Sequence, residues 1–246
     1  MYRIQCSEVW GGIRNQDQDV CSTGLTASLY SSACNGGKGG DIYYLSVCGG
    51  DVLTRVAIAD VVGHGEAVSQ VSEWLYQALQ RRMNDADGNS VLSDLNHLAA
   101  EKGFQAMTTA AVAGFYQADS HLYFAYAGHY PVLIWHRDDG DWRTAPLQST
   151  EGMSNLPLGV MKQTQYEQQS TPLAPGDRML LYTDGLIEAP DRDGELFGEE
   201  RLHKVLQDHG RNSLSDLKNA VLGAVRQHTE GPFLHDDVTL LAIEVN

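Results

Sequence analysis

Two aspartates bracket one short hairpin in this chain, and no other feature constrains the fold as much. The runs "IYYLSVC" (42–48) and "VLTRVAIA" (52–59) are rich in β-branched and aromatic residues and are joined by Gly49-Gly50-Asp51, a strand–turn–strand signal. Asp41 opens the first run and Asp60 closes the second. With Gly50 and Asp51 as the central turn residues, Asp41 and Asp60 stand opposite each other. A turn centred on Gly49-Gly50 moves the partner slightly and still leaves both at one end of the sheet. Directly opposed positions lie about 5 Å apart, where like charges destabilise a sheet unless a cation shares them. The hairpin therefore predicts a metal at its open end.

The rest of the chain supplies more strand ends. After "ADVVGHG", Val68, Val71, Leu75 and Leu79 recur at helical spacing, as do Val91, Leu92, Leu95, Leu98 and Ala99. "MNDADGNS" separates these two helices, with Ser90 as N-cap of the second. "TTAAVAGFY" and "HLYFAYAG" form a second strand pair, followed by the strand "PVLIWH" and a turn at "DDGD". Residues 146–176, with Pro157, Pro172 and Pro175, read as a long irregular excursion. "RMLLYT" is a strand ending at Asp184, a charged helical segment covers roughly residues 199–228, and "VTLLAIEV" closes the chain just after Asp236-Asp237. Strands neighbour strands and helices group apart, which predicts an α+β class rather than alternating βαβ units. The expected organisation is one domain over 1–246, with 1–35 an N-terminal extension or the first strands and 36–246 the motif-bearing core.

Charge and cysteine usage exclude several partners. The formal charge is −15, from 17 basic and 32 acidic residues, so a nucleic acid is not expected. The N-terminus has no apolar core of the signal-peptide kind, and no apolar run approaches the roughly 18 residues of a membrane span. No membrane partner and a cytoplasmic location follow as expectations. Cys6, Cys21, Cys34 and Cys48 show no C-x-x-C spacing, which argues against zinc and for free thiols.

Asp184 and Asp236 repeat the hairpin's arrangement, because antiparallel pairing of "RMLLYT" with "VTLLAIEV" would bring them together. Any one of these aspartates alone is an ordinary turn residue. Four at strand ends, two of them forced together by a short hairpin, favour a cation site. The Asp236-Asp237 doublet leaves open which of the two faces it.

"GGD" (39–41), "ADVVGHG" (59–65), "YTDGLIEA" (182–189) and "HDDVTLLAIEV" (235–245) occur in the order of the PPM-type, protein phosphatase 2C-like serine/threonine phosphatases. With "YAGHYPVLIW", "LPLGV" and "GELFGEERL", the chain resembles the bacterial branch named after stage II sporulation protein E over residues 36–246. The resemblance implies two packed antiparallel β-sheets flanked by helices, with two Mn²⁺ or Mg²⁺ ions at one end. It implies that Asp60 bridges both metals with the Val61 carbonyl on one, that Asp184 and Asp236 (or Asp237) hold the second, and that Asp41 acts directly or through water. An all-oxygen donor set independently suits Mg²⁺ or Mn²⁺. The implied reaction is hydrolysis of a phosphoserine or phosphothreonine on a signalling regulator, such as an anti-anti-sigma-like protein.

His64 is a candidate general acid, although "DVVGHG" puts two residues between Asp60 and Gly63 where eukaryotic members run Asp-Gly-His-Gly. His129 is structural or substrate-proximal. Thr239 either orients Asp236 or packs in the core, and Lys38 either meets phosphate or is solvated. The helix after Gly65 starts one turn from Asp60, which suggests that it gates metal occupancy. A catalytically inactive binding module and a small-molecule phosphoesterase remain the competing readings.

Overall fold

The computed structural model describes residues 1–48, 50–82, 85, 87–146 and 154–246. Thirteen strands are present among them: β1 (Tyr2–Arg3), β2 (Val9–Arg14), β3 (Gln16–Cys21), β4 (Leu25–Ser32), β5 (Lys38–Val47), β6 (Leu53–Val61), β7 (Thr108–Tyr116), β8 (His121–Ala127), β9 (Leu133–Trp135), β10 (Trp142–Thr144), β11 (Gln169–Pro172), β12 (Arg178–Tyr182) and β13 (Val238–Val245). The helices are α1 (Ser69–Gln80), α2 (Gly88–Lys102), α3 (Asp184–Ile187), α4 (Gly198–His209) and α5 (Leu214–Thr229). The strands form a seven-stranded sheet, β1-β3-β4-β13-β12-β9-β10, and a six-stranded sheet, β11-β8-β7-β6-β5-β2. All pairings between these strands are antiparallel except β1 with β3.

Three apolar layers hold the sandwich together. Leu29, Leu45, Ile58, Phe124, Leu181 and Leu241 fill the space between the sheets. Ile42, Tyr44, Leu75, Leu92 and Leu95 seal α1 and α2 onto the outside of the six-stranded sheet. Leu180, Leu186, Leu202, Val221 and Leu240 do the same for α3–α5 on the other sheet. Alternate residues of β5 and β6 point to different cores (Tyr43 and Ile58 inward, Tyr44 and Ala57 outward), the two-residue period of a strand buried on both faces. This is the α+β architecture of two antiparallel-rich sheets flanked by helices.

Several expectations are corrected. The N-cap of α2 is Asp87, whose carboxylate accepts the Asn89 N–H, and Ser90 lies inside the helix bonded back to Asp87. Asp87 is extended (φ −93°, ψ 111°) and so fits the cap geometry. Leu98, assigned to the apolar stripe, is 37% exposed because it falls off the face carrying Leu92, Leu95 and Ala99. The excursion from 146 to 176 contains β11, which adds to the edge of the six-stranded sheet beside β8. Residues 147–153 of that excursion, Gly49 of the hairpin turn and residues 83, 84 and 86 of the helix linker lie outside the described residues. The first 32 residues, expected as an N-terminal extension or the first strands, contribute β1, β3 and β4 to one sheet and β2 to the other.

Candidate active site

The register of β5 with β6 pairs Asp41 directly with Asp60. The register of β12 with β13 ends at Tyr182 opposite Leu240, so Asp184 and Asp236 follow at the same end of their sheet. Both pairs emerge where the sheets open. Asp60, Asp184 and Asp236 line one cleft of about 220 Å³ with Val62, Gly63, Met107, Thr108, Thr109 and Pro157. Asp184 also borders a neighbouring cleft with Thr109, His129 and Tyr130. Volume alone does not mark the site. A larger cleft at the far end of β12 contains Asp177, but Asp177 already accepts from His136 and from the amides of Arg137 and Ala174.

Asp41 is buried beneath this cleft. Its Oδ2 accepts the Thr183 hydroxyl at 2.8 Å, while its Oδ1 is buried without a hydrogen-bond partner. A bare carboxylate oxygen costs several kcal/mol in such a place unless a proton or a cation joins it, so roughly one missing ligand is implied. Burial first, and then the charges of Asp237 and Asp184 against the opposing Thr183 and Thr239 hydrogen bonds, pushes the Asp41 carboxyl well above its usual range. Burial and the charges of Asp41, Asp184 and Asp236 do the same to Asp60. Asp184 is raised by burial and by Asp236, and Asp236 by burial and by Asp237.

Glycines shape the floor. A Cβ on Gly40 would approach the carbonyl oxygens of Gly63 and Val61 at 2.9 and 3.0 Å, so glycine keeps the space before both open. A Cβ on Gly185 would sit 2.0 Å from the Asp237 carbonyl, so α3 can start at Asp184 against β13 only with glycine there. Gly63 (φ 92°) and Gly65 (φ 65°) take the backbone through the turn after Asp60.

The two members of the doublet separate by orientation. Asp236 lines the cleft, whereas Asp237 accepts the amides of Cys34 (2.8 Å) and Gly40 (2.6 Å) and Gly65 (2.8 Å) and ties three segments together from within. Thr239 bonds Ser31 and supports Asp41 rather than Asp236, because its side chain points to the buried side of β13. Lys38 opens β5 and pairs with Glu73 at 3.5 Å instead of standing in a loop. His64 lies at the cap of the turn before α1, with its Nδ1 3.1 Å from the Cys34 sulfur. His129 Nδ1 meets the Thr109 hydroxyl at 2.9 Å, and Thr109 is the strand partner of Asp60. Thr183, Cys34 and Thr109 escaped sequence reasoning; only Thr183, adjacent to Asp184 in "YTDG", carried a signal.

The donors fit divalent cations of the Mg²⁺ and Mn²⁺ type: carboxylate and carbonyl oxygens only, one of them bare. Among the described residues, no three His, Cys, Asp or Glu side chains form a ready-made cage.

Antiparallel sandwich, flanking helices and an acidic cleft at the open end together match the PP2C-like phosphatase fold. A family model for stage II sporulation protein E (SpoIIE) matches residues 50–246, and the chain belongs to this family. It is 24% identical over 191 residues to phosphoserine phosphatase RsbU of Bacillus subtilis (strain 168), covering 77% of this chain and 55% of RsbU, so it spans about half that relative's length. The structure of the PP2C phosphatase domain and a regulatory-domain fragment of SpoIIE from Bacillus subtilis superposes with a TM-score of 0.75 at 18% identity, covering 98% of this chain and 70% of that one. The catalytic domain of the serine/threonine protein phosphatase PstP, in complex with two manganese ions, gives 0.60 at 15% identity over 90% of this chain and 98% of PstP.

Proposed function

We propose that the chain hydrolyses phosphoserine or phosphothreonine on a protein regulator, with two Mn²⁺ or Mg²⁺ ions held by Asp60, Asp184, Asp236 and the Val61 carbonyl, and with Asp41 beneath them. The buried, partnerless Oδ1 of Asp41 among four mutually repelling carboxylates carries this reading. The relatives support it: RsbU is a phosphoserine phosphatase and PstP was solved with two manganese ions. When bound, such ions offset phosphate charge and supply an activated water at neutral pH.

The chain's own residues do the rest. Thr183 fixes Asp41 by donating its hydroxyl to Oδ2, which leaves Oδ1 free. Asp237 fastens the segments bearing Cys34, Gly40 and Gly65, which keeps Asp41 and Asp60 in register. Burial and Asp237 hold the Cys34 thiol above its usual range, and its sulfur lies 3.1 Å from His64 Nδ1. His64 lies close enough to Asp236 for its charge to act there, and it is the candidate donor of a proton to the departing seryl oxygen. Asp237 is then a structural carboxylate, and Asp236 the member of the doublet that binds metal.

Hydrolysis of p-nitrophenyl phosphate with and without Mn²⁺ tests the reading. Asp184→Asn is expected to lose at least ~10²-fold in rate. Full activity of the wild type in chelator overturns it.

A further inference from the structure

Arg55 on β6 is a buried cation away from the acidic cleft. It is 1% exposed, and its Nη1 donates to the Arg82 carbonyl at 2.6 Å, just past the end of α1. Its Nε and Nη2 are buried without hydrogen-bond partners. Two more orphan groups share that patch of sheet. Ser46 is the direct strand partner of Arg55, and Tyr44 lies two residues before it on the same face of β5. The Ser46 Oγ and the Tyr44 Oη are buried and unpartnered as well. Burial raises the Tyr44 phenol, and Ser46 and the Arg55 charge pull it part of the way back, which places the three side chains within reach of one another.

On the other side of β6, Arg55 faces Gly114 of β7. A Cβ on Gly114 would meet one neighbour among the described residues within 4 Å, Leu53 Cδ1 at 2.9 Å, so the missing side chain leaves room beside the guanidinium. Every unpartnered group here can donate: guanidinium N–H groups keep their protons, and the two hydroxyls can turn theirs inward. The chain returns little negative charge. Asp85 is the carboxylate whose charge reaches Arg55, but its side chain is 42% exposed and pairs with Arg82 at 3.6 Å. The Arg82 carbonyl supplies only the partial charge of a helix end. A buried guanidinium in that condition is costly, and a neutral water does not supply the missing charge.

We infer that Arg55, Ser46 and Tyr44 hold one small monovalent anion of the halide type, occluded between the six-stranded sheet and the end of α1. One guanidinium matches one negative charge, and burial of all three side chains excludes an anionic group carried on a macromolecule. The site lies five residues along β6 from Asp60, roughly 16 Å, so it is independent of the phosphatase reading. Through Arg55, the anion ties the end of α1 to the sheet.

Thermal unfolding in about 100 mM sodium chloride, against the same concentration of sodium methanesulfonate, gives the test. Methanesulfonate carries the same charge and is too large for an occluded site. With chloride roughly 100-fold above its dissociation constant, wild type is expected to gain about 5–10 °C in Tm. Arg55→Met keeps the bulk, removes the charge and is expected to melt alike in both salts. Tyr44→Phe with Ser46→Ala keeps the charge, removes two donors and is expected to retain less than half of the gain. Crystals grown in bromide should show an anomalous peak against Nε and Nη2 of Arg55. Equal wild-type melting in the two salts overturns the site. So does a gain that survives in Arg55→Met or undiminished in the double variant, and so does water where bromide is expected. If Arg55→Met fails to fold, the double variant and the bromide peak decide the outcome.

Discussion

At the scale of single residues, the site is a store of unresolved charge. Asp41, Asp60, Asp184 and Asp236 are all raised above the ordinary value of 3.8, so without metal the folded state holds protons that the unfolded chain releases. Groups raised in this way stabilise the fold at low pH and lose that contribution as pH rises through their folded values. The metal-free protein is therefore expected to lose stability as pH climbs above the carboxylate range, and Mn²⁺ to restore it. The gap in Tm between Mn²⁺ and chelator should widen from pH 5 to pH 8; a constant gap would contradict the site. Titration calorimetry in buffers of different ionisation enthalpy should also register proton release on metal binding.

His129 works in the opposite direction. Burial lowers it from 6.5 to about 4, so it stays neutral in the folded protein where the unfolded chain is protonated. Its contribution is present above pH 6.5 and is lost as pH falls toward 4, about 3 kcal/mol across that window. Urea denaturation of His129→Gln against wild type at pH 7 and pH 4.5 measures it: the variant should lose distinctly less stability on acidification.

At the scale of elements, the close approach of α3 to β13 is the tightest requirement. Gly185→Ala puts a methyl group 2.0 Å from the Asp237 carbonyl, so the helix must move. A cost of 1–3 kcal/mol is expected from overpacking, about, together with loss of activity because Asp184 opens the displaced helix. Urea midpoints with parallel p-nitrophenyl phosphate assays would detect both. Leu79, 4% exposed on α1, is expected to cost about 2–5 kcal/mol when cut to alanine. If α1 gates metal occupancy, Leu79→Ala also raises the Mn²⁺ concentration needed for half-maximal activity; an unchanged requirement ends that idea.

At the scale of the molecule, the N-terminal strands are expected to be indispensable. The family match begins at residue 50, yet β4 pairs with β13 over eight positions and β5 carries Asp41. A chain cut to 50–246 is expected to show no cooperative unfolding transition and no phosphatase activity, whereas the full chain shows both. Circular dichroism through a urea titration decides it.

Local signals reached a long way here. Strong β-formers and a short turn specified the β5–β6 hairpin and with it the Asp41–Asp60 pairing, because in a hairpin the register follows from the turn. "TTAAVAGFY" and "VTLLAIEV" are β7 and β13 to the residue. What the sequence left open was settled by contacts between distant segments. Which aspartate of the doublet faces the cleft depends on the amides of Cys34, Gly40 and Gly65, far from it in the chain. That Thr183 and Thr239 serve Asp41, and that residues 2–32 complete both sheets, follows from pairings of β4, β12 and β13 that no turn encodes. Local propensity and turn geometry act between neighbours in the chain, while a side chain's orientation within a packed sandwich is fixed only when the whole sheet closes around it.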